Sequence, residues 1–336
     1  MMKKNVRLAV AALAILLLLA VIPSCRSKQE KQEQKVVGTC AGYDILYEEL
    51  RYVTLTYKDL FESTYGEGIW DNPETAERYR GELQETVMRM LCNNYAVLAA
   101  CAYYMPDVSL DNQTIKQAVD REIEDAIEAY GGKQAFAEEL KNLHMTEHFS
   151  RFCIGVAELE NELMYVLTDD LGIIAYNDTE EFAAWLEEGN CTYVQHIFIR
   201  NDAGDDPEAN RALAEEVRRM LFQGTDIGEL INSSVNEDGT NTAPYFFVRD
   251  VYIPEMEEAA LSLHEDGAVS RVADSGEGYY VFQRLAYEKA ELTAQIPTLL
   301  HSWQWAKVED EVNKFKKDLT VELNEYGLSI DLLAIE

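Results

Sequence analysis

The segment CTYVQHIFIR, residues 191–200, constrains the chain more than any other. Val194, His196 and Phe198 fall on one face of a period-two pattern, and Tyr193, Ile197 and Ile199 fall on the other, as a buried strand requires. A helix is expected next. Asp206 caps it, Pro207 suits its first position, and Leu213, Val217 and Leu221 repeat at helical spacing until Gly224 offers a left-handed stop. The apolar run PYFFVRD follows, then a helix begun at Pro254, a turn at HEDG, and two strand-like pieces, AVSRVA and GYYVFQRL. The order is strand, helices, strand, helix, strand, strand.

Upstream, MMKKNVR is a basic n-region, and Leu8 to Ile22 is wholly apolar. That stretch is shorter than the ~20 residues a spanning helix needs, but it suits the core of a signal peptide over residues 1–24. Ile22-Pro23-Ser24-Cys25 reads as a lipobox with Cys25 the lipidated residue; an ordinary secretory cut near Ser24 is the alternative. A lipidated terminus with two or three acyl chains would hold the chain on a membrane. Residues 25–35 hold almost no apolar side chain and read as a tether.

The formal net charge is −32, and removal of Lys3, Lys4 and Arg7 with a leader makes it more negative. Nucleic acid is excluded as a partner on this ground, because phosphate binding needs concentrated Lys and Arg. Attachment to anionic lipid would have to come from the anchor rather than from the protein surface. Cys40, Cys92, Cys101, Cys153 and Cys191 follow no zinc-like or disulfide-framework spacing and read as buried thiols.

Amphipathic helices are expected after residue 70. One aligns Leu83, Val87, Leu91, Tyr95, Leu98 and Ala102; a second aligns Ile115, Val119, Ile123 and Ile127; a third runs through Phe149, Phe152, Val156, Leu159, Leu163 and Val166. A last segment, Leu299 to Tyr326, carries Trp303, Val308, Val312 and Phe315 on one face.

These pieces resemble the SurA- and PrsA-like exported foldases, whose isomerase module is of the parvulin type. VQHIFI is similar to that module's first strand with its histidine, FQGTDIGELINSSVNEDG to its "G-x-D-F-x-x-L-A … S-x-D" segment, PEMEEAALSL to its "P-x-F-E-x-A-x-F-x-L" helix, and SGEGYYVFQRL to its closing strand. VVGTCAGYDILYEELRYV resembles the family's opening strand and turn, with Gly42 at the turn and Ala41 where Asn is usual. YGGKQAFAEELKNLHMT matches a family connection anchored by Phe136 and Leu140.

The resemblance implies an α+β architecture in which a parvulin-like domain, a small antiparallel sheet flanked by helices, is inserted into a helical chaperone domain completed by a C-terminal helix. The implied division is residues 36–189, 190–287 and 288–336. It also implies an extracytoplasmic folding factor that binds unfolded or extended clients with proline-containing segments and needs no cofactor. The site carried over is His196, Asp238 and Tyr280 as the hydrogen-bonded group, with Tyr252 and Met256 lining the prolyl pocket. Tyr280 stands where the family has a second histidine, and Thr240 to Phe246 replaces "G-G-D-L-G-x-F".

Prolyl isomerisation crosses a barrier of ~18–20 kcal/mol without nucleophile or metal. A site need only desolvate the amide and favour its twisted form. Other readings stand beside this one. His196 can be a satisfied core histidine, Tyr252 and Met256 can be core filling, and Asp238 can cap its own turn. A binding-only chaperone with a degenerate site is the first functional alternative, and a solute-binding lipoprotein the second; helix after helix from Leu83 to Val166 disfavours the latter. His144-Met145-Thr146-Glu147-His148 pairs two histidines but offers no third ligand, so no metal is expected. Glu255, Glu257 and Glu258 read as a solvated helix face.

Overall fold

The computed structural model describes residues 32–66, 68–201, 206–233, 235–238 and 243–336. The expected signal peptide, Cys25 and most of the expected tether lie outside these residues. The last tether residues are not free of the body: Glu33 is buried beside Arg51, and the Lys35 ammonium stands 3.2 Å over the Tyr326 ring. The burial of Glu33 and the cation–ring contact of Lys35 outweigh the polar composition that suggested an open linker.

Val36–Cys40 (β1) and Tyr43–Leu46 (β2) make an antiparallel hairpin. Its two turn residues, Ala41 and Gly42, both lie at positive φ, 52° and 82°. The turn geometry forces Ala41 into the left-handed region that Asn tolerates better, at a cost of ~1–2 kcal/mol. β1 also pairs with Glu322–Leu323 (β7), giving the order β2-β1-β7.

Helices follow: Tyr47–Tyr65 (α1), Pro73–Tyr104 (α2), Gln113–Ala129 (α3), Lys133–Asn142 (α4) and Glu147–Tyr165 (α5). Asn72 caps α2 by accepting from the Glu74 amide, and Thr146 caps α5 by accepting from that of Phe149. The buried stripe of α2 runs Leu83, Val87, Leu91, Tyr95, Leu98 and ends on Cys101; Ala102 is exposed. After Thr179–Trp185 (α6) the chain leaves this body, and it returns as Lys289–Lys316 (α10). α10 packs on α2, α5 and α6. Its Trp303 is buried against Tyr176, Phe182 and Trp185, with ring centroids 5.4, 6.0 and 5.8 Å away. Glu325–Leu328 (α11) then closes on β1 so tightly that a Cβ on Gly327 would stand 2.1 Å from the Val37 carbonyl oxygen.

Between α6 and α10 lies a sheet module. Cys191–Arg200 (β3), Tyr245–Val248 (β4), Ala273–Asp274 (β5) and Gly278–Arg284 (β6) form an antiparallel sheet of order β4-β3-β6-β5. Pro207–Phe222 (α7) and Ile227–Ile231 (α8) cover one face, meeting Ile197, Ile199, Tyr279 and Val281. Pro254–Leu261 (α9) covers the other, meeting Val194, Phe247 and Phe282. The fold is therefore α+β, a helical body carrying a small antiparallel sheet module flanked by helices.

Two local expectations change. Leu213 is exposed and Ala214 takes the buried place on α7, against Ile197, Val281 and their neighbours. AVSRVA is not a continuous strand: Val269 bridges Gln283, Ala273–Asp274 pairs with β6, and Arg218 holds the Ser270 carbonyl between them at 2.8 Å.

Candidate functional site

His196 sits in the middle of β3, on the face beneath α9. Strand alternation sends its ring inward, and the Phe282 and Tyr280 rings of β6 lie 5.8 and 5.2 Å away. β4 pairs with β3 so that Tyr245 is directly opposite Val194, on this same face. The Tyr245 hydroxyl is 3.0 Å from Nδ1 of His196, and Oδ2 of Asp238 is 3.0 Å from Nε2.

Asp238 is held there by its neighbours. Residues 236–238 run beside the end of β3: Asn236 Oδ1 accepts from the Phe198 amide at 3.0 Å, the Glu237 amide donates to the Phe198 carbonyl at 2.9 Å, and Asn236 Nδ2 donates to the Asp238 carbonyl at 2.9 Å. Asn236 thus positions the aspartate, a role the sequence reading missed.

The hydrogen-bond chemistry assigns the tautomer. A carboxylate only accepts, so Nε2 carries the proton toward Asp238; Nδ1 is then an acceptor for the Tyr245 hydroxyl. Burial lowers the His196 pKa, against the opposing pull of Asp238. Burial raises the Tyr245 phenol above its ordinary value. The pair is a neutral imidazole and a neutral phenol, suited to hydrogen bonding and not to nucleophilic attack.

Tyr280 does not make the hydrogen bond expected of it. Its ring stacks on Phe198 at 4.4 Å, and the Tyr245 hydroxyl fills the acceptor position on the imidazole instead. Tyr252 stacks on Phe247 at 4.0 Å, and Met256 joins the same apolar cluster under α9. The five expected residues are thus brought to one face of one sheet, with His196 and Asp238 in contact and Tyr252, Met256 and Tyr280 forming aromatic and thioether walls.

Glu257 is more than a solvated side chain. Its Oε1 accepts from the amides of Val251 and Tyr252 at 3.2 and 3.3 Å, fixing the loop that presents Tyr252. His144 and His148 point to different carboxylates of α1, Asp59 at 3.0 Å and Glu48, on either side of the Thr146 cap. Among the described residues no group of His, Cys, Asp and Glu is arranged to hold a metal ion.

A second feature lies where the two bodies meet. A cleft of about 600 Å3 opens between α2, α5 and α10, lined by Asn93, Val97, Val156, Trp305 and Glu309, with Val251 of the sheet module at its edge. Phe246 and Val248 of β4 also pack into the helical core, which ties the module to α10.

No family model matches the sequence, and no curated protein matches it. Solved structures do. A peptidylprolyl isomerase, PrsA, from Bacillus anthracis is 18% identical, over 67% of this chain and 96% of that one, with a TM-score of 0.35. The foldase protein PrsA from Streptococcus pneumoniae is 16% identical, over 78% and 88%, with a TM-score of 0.36. A chain from the pair of SurA-like chaperones of Campylobacter jejuni is 9% identical, over 86% and 99%, with a TM-score of 0.31. These are what the chain is similar to, at a distance.

Proposed function

We propose that this chain is an extracytoplasmic protein-folding factor: a helical body that holds extended polypeptide clients, carrying a parvulin-like module, residues 190–287, that binds prolyl segments and isomerises them weakly. The observation that carries the proposal is the buried His196 ring held between the Tyr245 hydroxyl and the Asp238 carboxylate beneath an aromatic wall. Such a group can hydrogen-bond a substrate or restrain the apolar pocket while a prolyl amide twists, and the reaction asks for nothing further. The cleft between α2, α5 and α10, apolar in part and edged with amides, supports a role in holding chains. Attachment through a lipid on Cys25 belongs to the same reading, and Cys25→Ala should release the exported protein from the membrane.

A binding-only module is the second reading. The stacking of Tyr252 on Phe247 favours it, because two rings in contact fill space that a prolyl ring would need. A protease-free prolyl isomerisation assay run beside an aggregation-suppression assay separates the two. His196→Ala should abolish any isomerisation while suppression persists. A robust rate indifferent to this substitution would place the chemistry elsewhere, and loss of suppression alone would place client holding in the sheet module.

A further inference from the structure

The sulfurs of Cys40 and Cys92 are 3.8 Å apart. They come from distant parts of the sequence. Cys40 ends β1, the central strand of the β2-β1-β7 sheet, and Cys92 lies midway along α2. Both residues are buried, and the strand turns its Cys40 side chain directly onto the helix.

We propose that Cys40 and Cys92 are a redox-active pair that closes to a disulfide, pinning the β1 sheet to α2. A disulfide bond is ~2.05 Å long, so about 1.8 Å must be closed between two sulfurs already in contact. Several features bear on this. Cys92 is on the wall of an open groove of about 870 Å3 that also meets Met88, Lys316 and Val321. Of the two, Cys92 lines this groove and Cys40 does not, which makes Cys92 the thiol nearer an oxidant and Cys40 the resolving thiol behind it. Burial pushes the Cys40 thiol up to about 12, which suits the later, resolving role.

The reaction balances with an exogenous disulfide as oxidant. The Cys92 thiolate attacks it, releasing one thiolate and leaving a mixed disulfide on Cys92. The Cys40 thiol then loses its proton, attacks the Cys92 sulfur and expels the second thiolate. Two protein thiols lose two protons and two electrons in all, and one external disulfide becomes two thiols. The closure joins residues 52 positions apart and fixes the strand that β7 pairs with.

The test uses the full folded chain. It is incubated with oxidised dithiothreitol or oxidised glutathione, blocked with N-ethylmaleimide in denaturant, digested and mapped by mass spectrometry. A single cross-linked peptide pair holding Cys40 and Cys92, with Cys101, Cys153 and Cys191 alkylated and Cys25 in no cross-link, is the expected result. Its thermal midpoint should rise by several degrees and fall back on reduction, and Cys40→Ser should show neither change. Recovery of both Cys40 and Cys92 as alkylated residues overturns the proposal, as does a stable mixed disulfide on Cys92 in a folded wild-type chain.

Discussion

The Tyr245 hydroxyl and Nδ1 of His196 lie 3.0 Å apart, although the residues are 49 positions apart in sequence and on different strands. That contact makes Nδ1 an acceptor and leaves Nε2 to face Asp238 at 3.0 Å. Burial holds the imidazole below its ordinary pKa, and Asp238 works against this by favouring the cation. Asp238→Asn should therefore lower the His196 pKa further. Titration of the ring carbon protons by NMR checks it; an unchanged or raised value would show that the carboxylate does not govern the ring.

A second histidine cannot simply be added to this site. With Nδ1 already engaged by Tyr245, Tyr280→His alone should leave the isomerisation rate within about threefold of wild type. Adding Tyr245→Phe frees the imidazole edge, and the double variant should then gain roughly tenfold, about 1.4 kcal/mol off the barrier. Equal rates for the single and double variants would refute the blocking role of Tyr245.

How far these residues could be read from sequence depends on the range of the interaction. The strand pattern of residues 191–200 and the Asp206-Pro207 start are local signals, and each produces the element it implies. Asp238 is reached through the resemblance of the FQGTDIGELINSSVNEDG segment, its turn composition alone suggesting only a local cap. Tyr245 is not, since its partner is set by the register of β4 on β3, which periodicity cannot supply. The alternation Tyr245, Phe247 on one face was a usable signal once the pairing Val194 with Tyr245 is known. Ala214 escaped notice for a related reason, because which side of α7 meets the sheet is a tertiary fact.

In the helical body, Glu49 gives a pH dependence of definite sign. Its carboxyl is buried and pushed up to about 7 by desolvation, against hydrogen bonds from Tyr95 at 2.7 Å and the Leu46 amide at 2.9 Å. Glu48, bonded to Thr146 and His148, and the Asp44 carbonyl share its surroundings. The folded pKa is raised above the unfolded value, so the contribution is fully present below about 4.5 and is lost as pH rises through about 7. Glu49→Gln should remove that slope, gaining up to about 3 kcal/mol relative to wild type at pH 8 compared with pH 4.5. Denaturant unfolding at the two pH values measures it, and parallel curves would exclude Glu49 as the source.

Trp303 offers a separable test of packing. Its ring is buried among Tyr176, Phe182 and Trp185, while its indole N–H is buried without a hydrogen-bond partner. Trp303→Ala should cost about 3–5 kcal/mol. Trp303→Phe keeps most of the packing and removes the unsatisfied donor, which offsets ~1–3 kcal/mol, so it should cost less than about 1.5 kcal/mol. Equal losses for the two, read from chemical unfolding, would mean that the N–H is satisfied in solution.

The pairing of β1 with both β2 and β7 bears on the order in which the chain can fold as it emerges N-terminus first. The inner strand of that sheet is made early, but its second partner, Glu322–Leu323, arrives only after the whole sheet module has passed. The module's own strands pair within residues 191–284, so it can close while the helical body still waits for α10 and β7. During that interval the apolar faces of α2 and α5 that α10 will cover are open to solvent. A protein of this design therefore spends that interval with its own half-built cleft as the nearest apolar surface to its unfinished C-terminal segment.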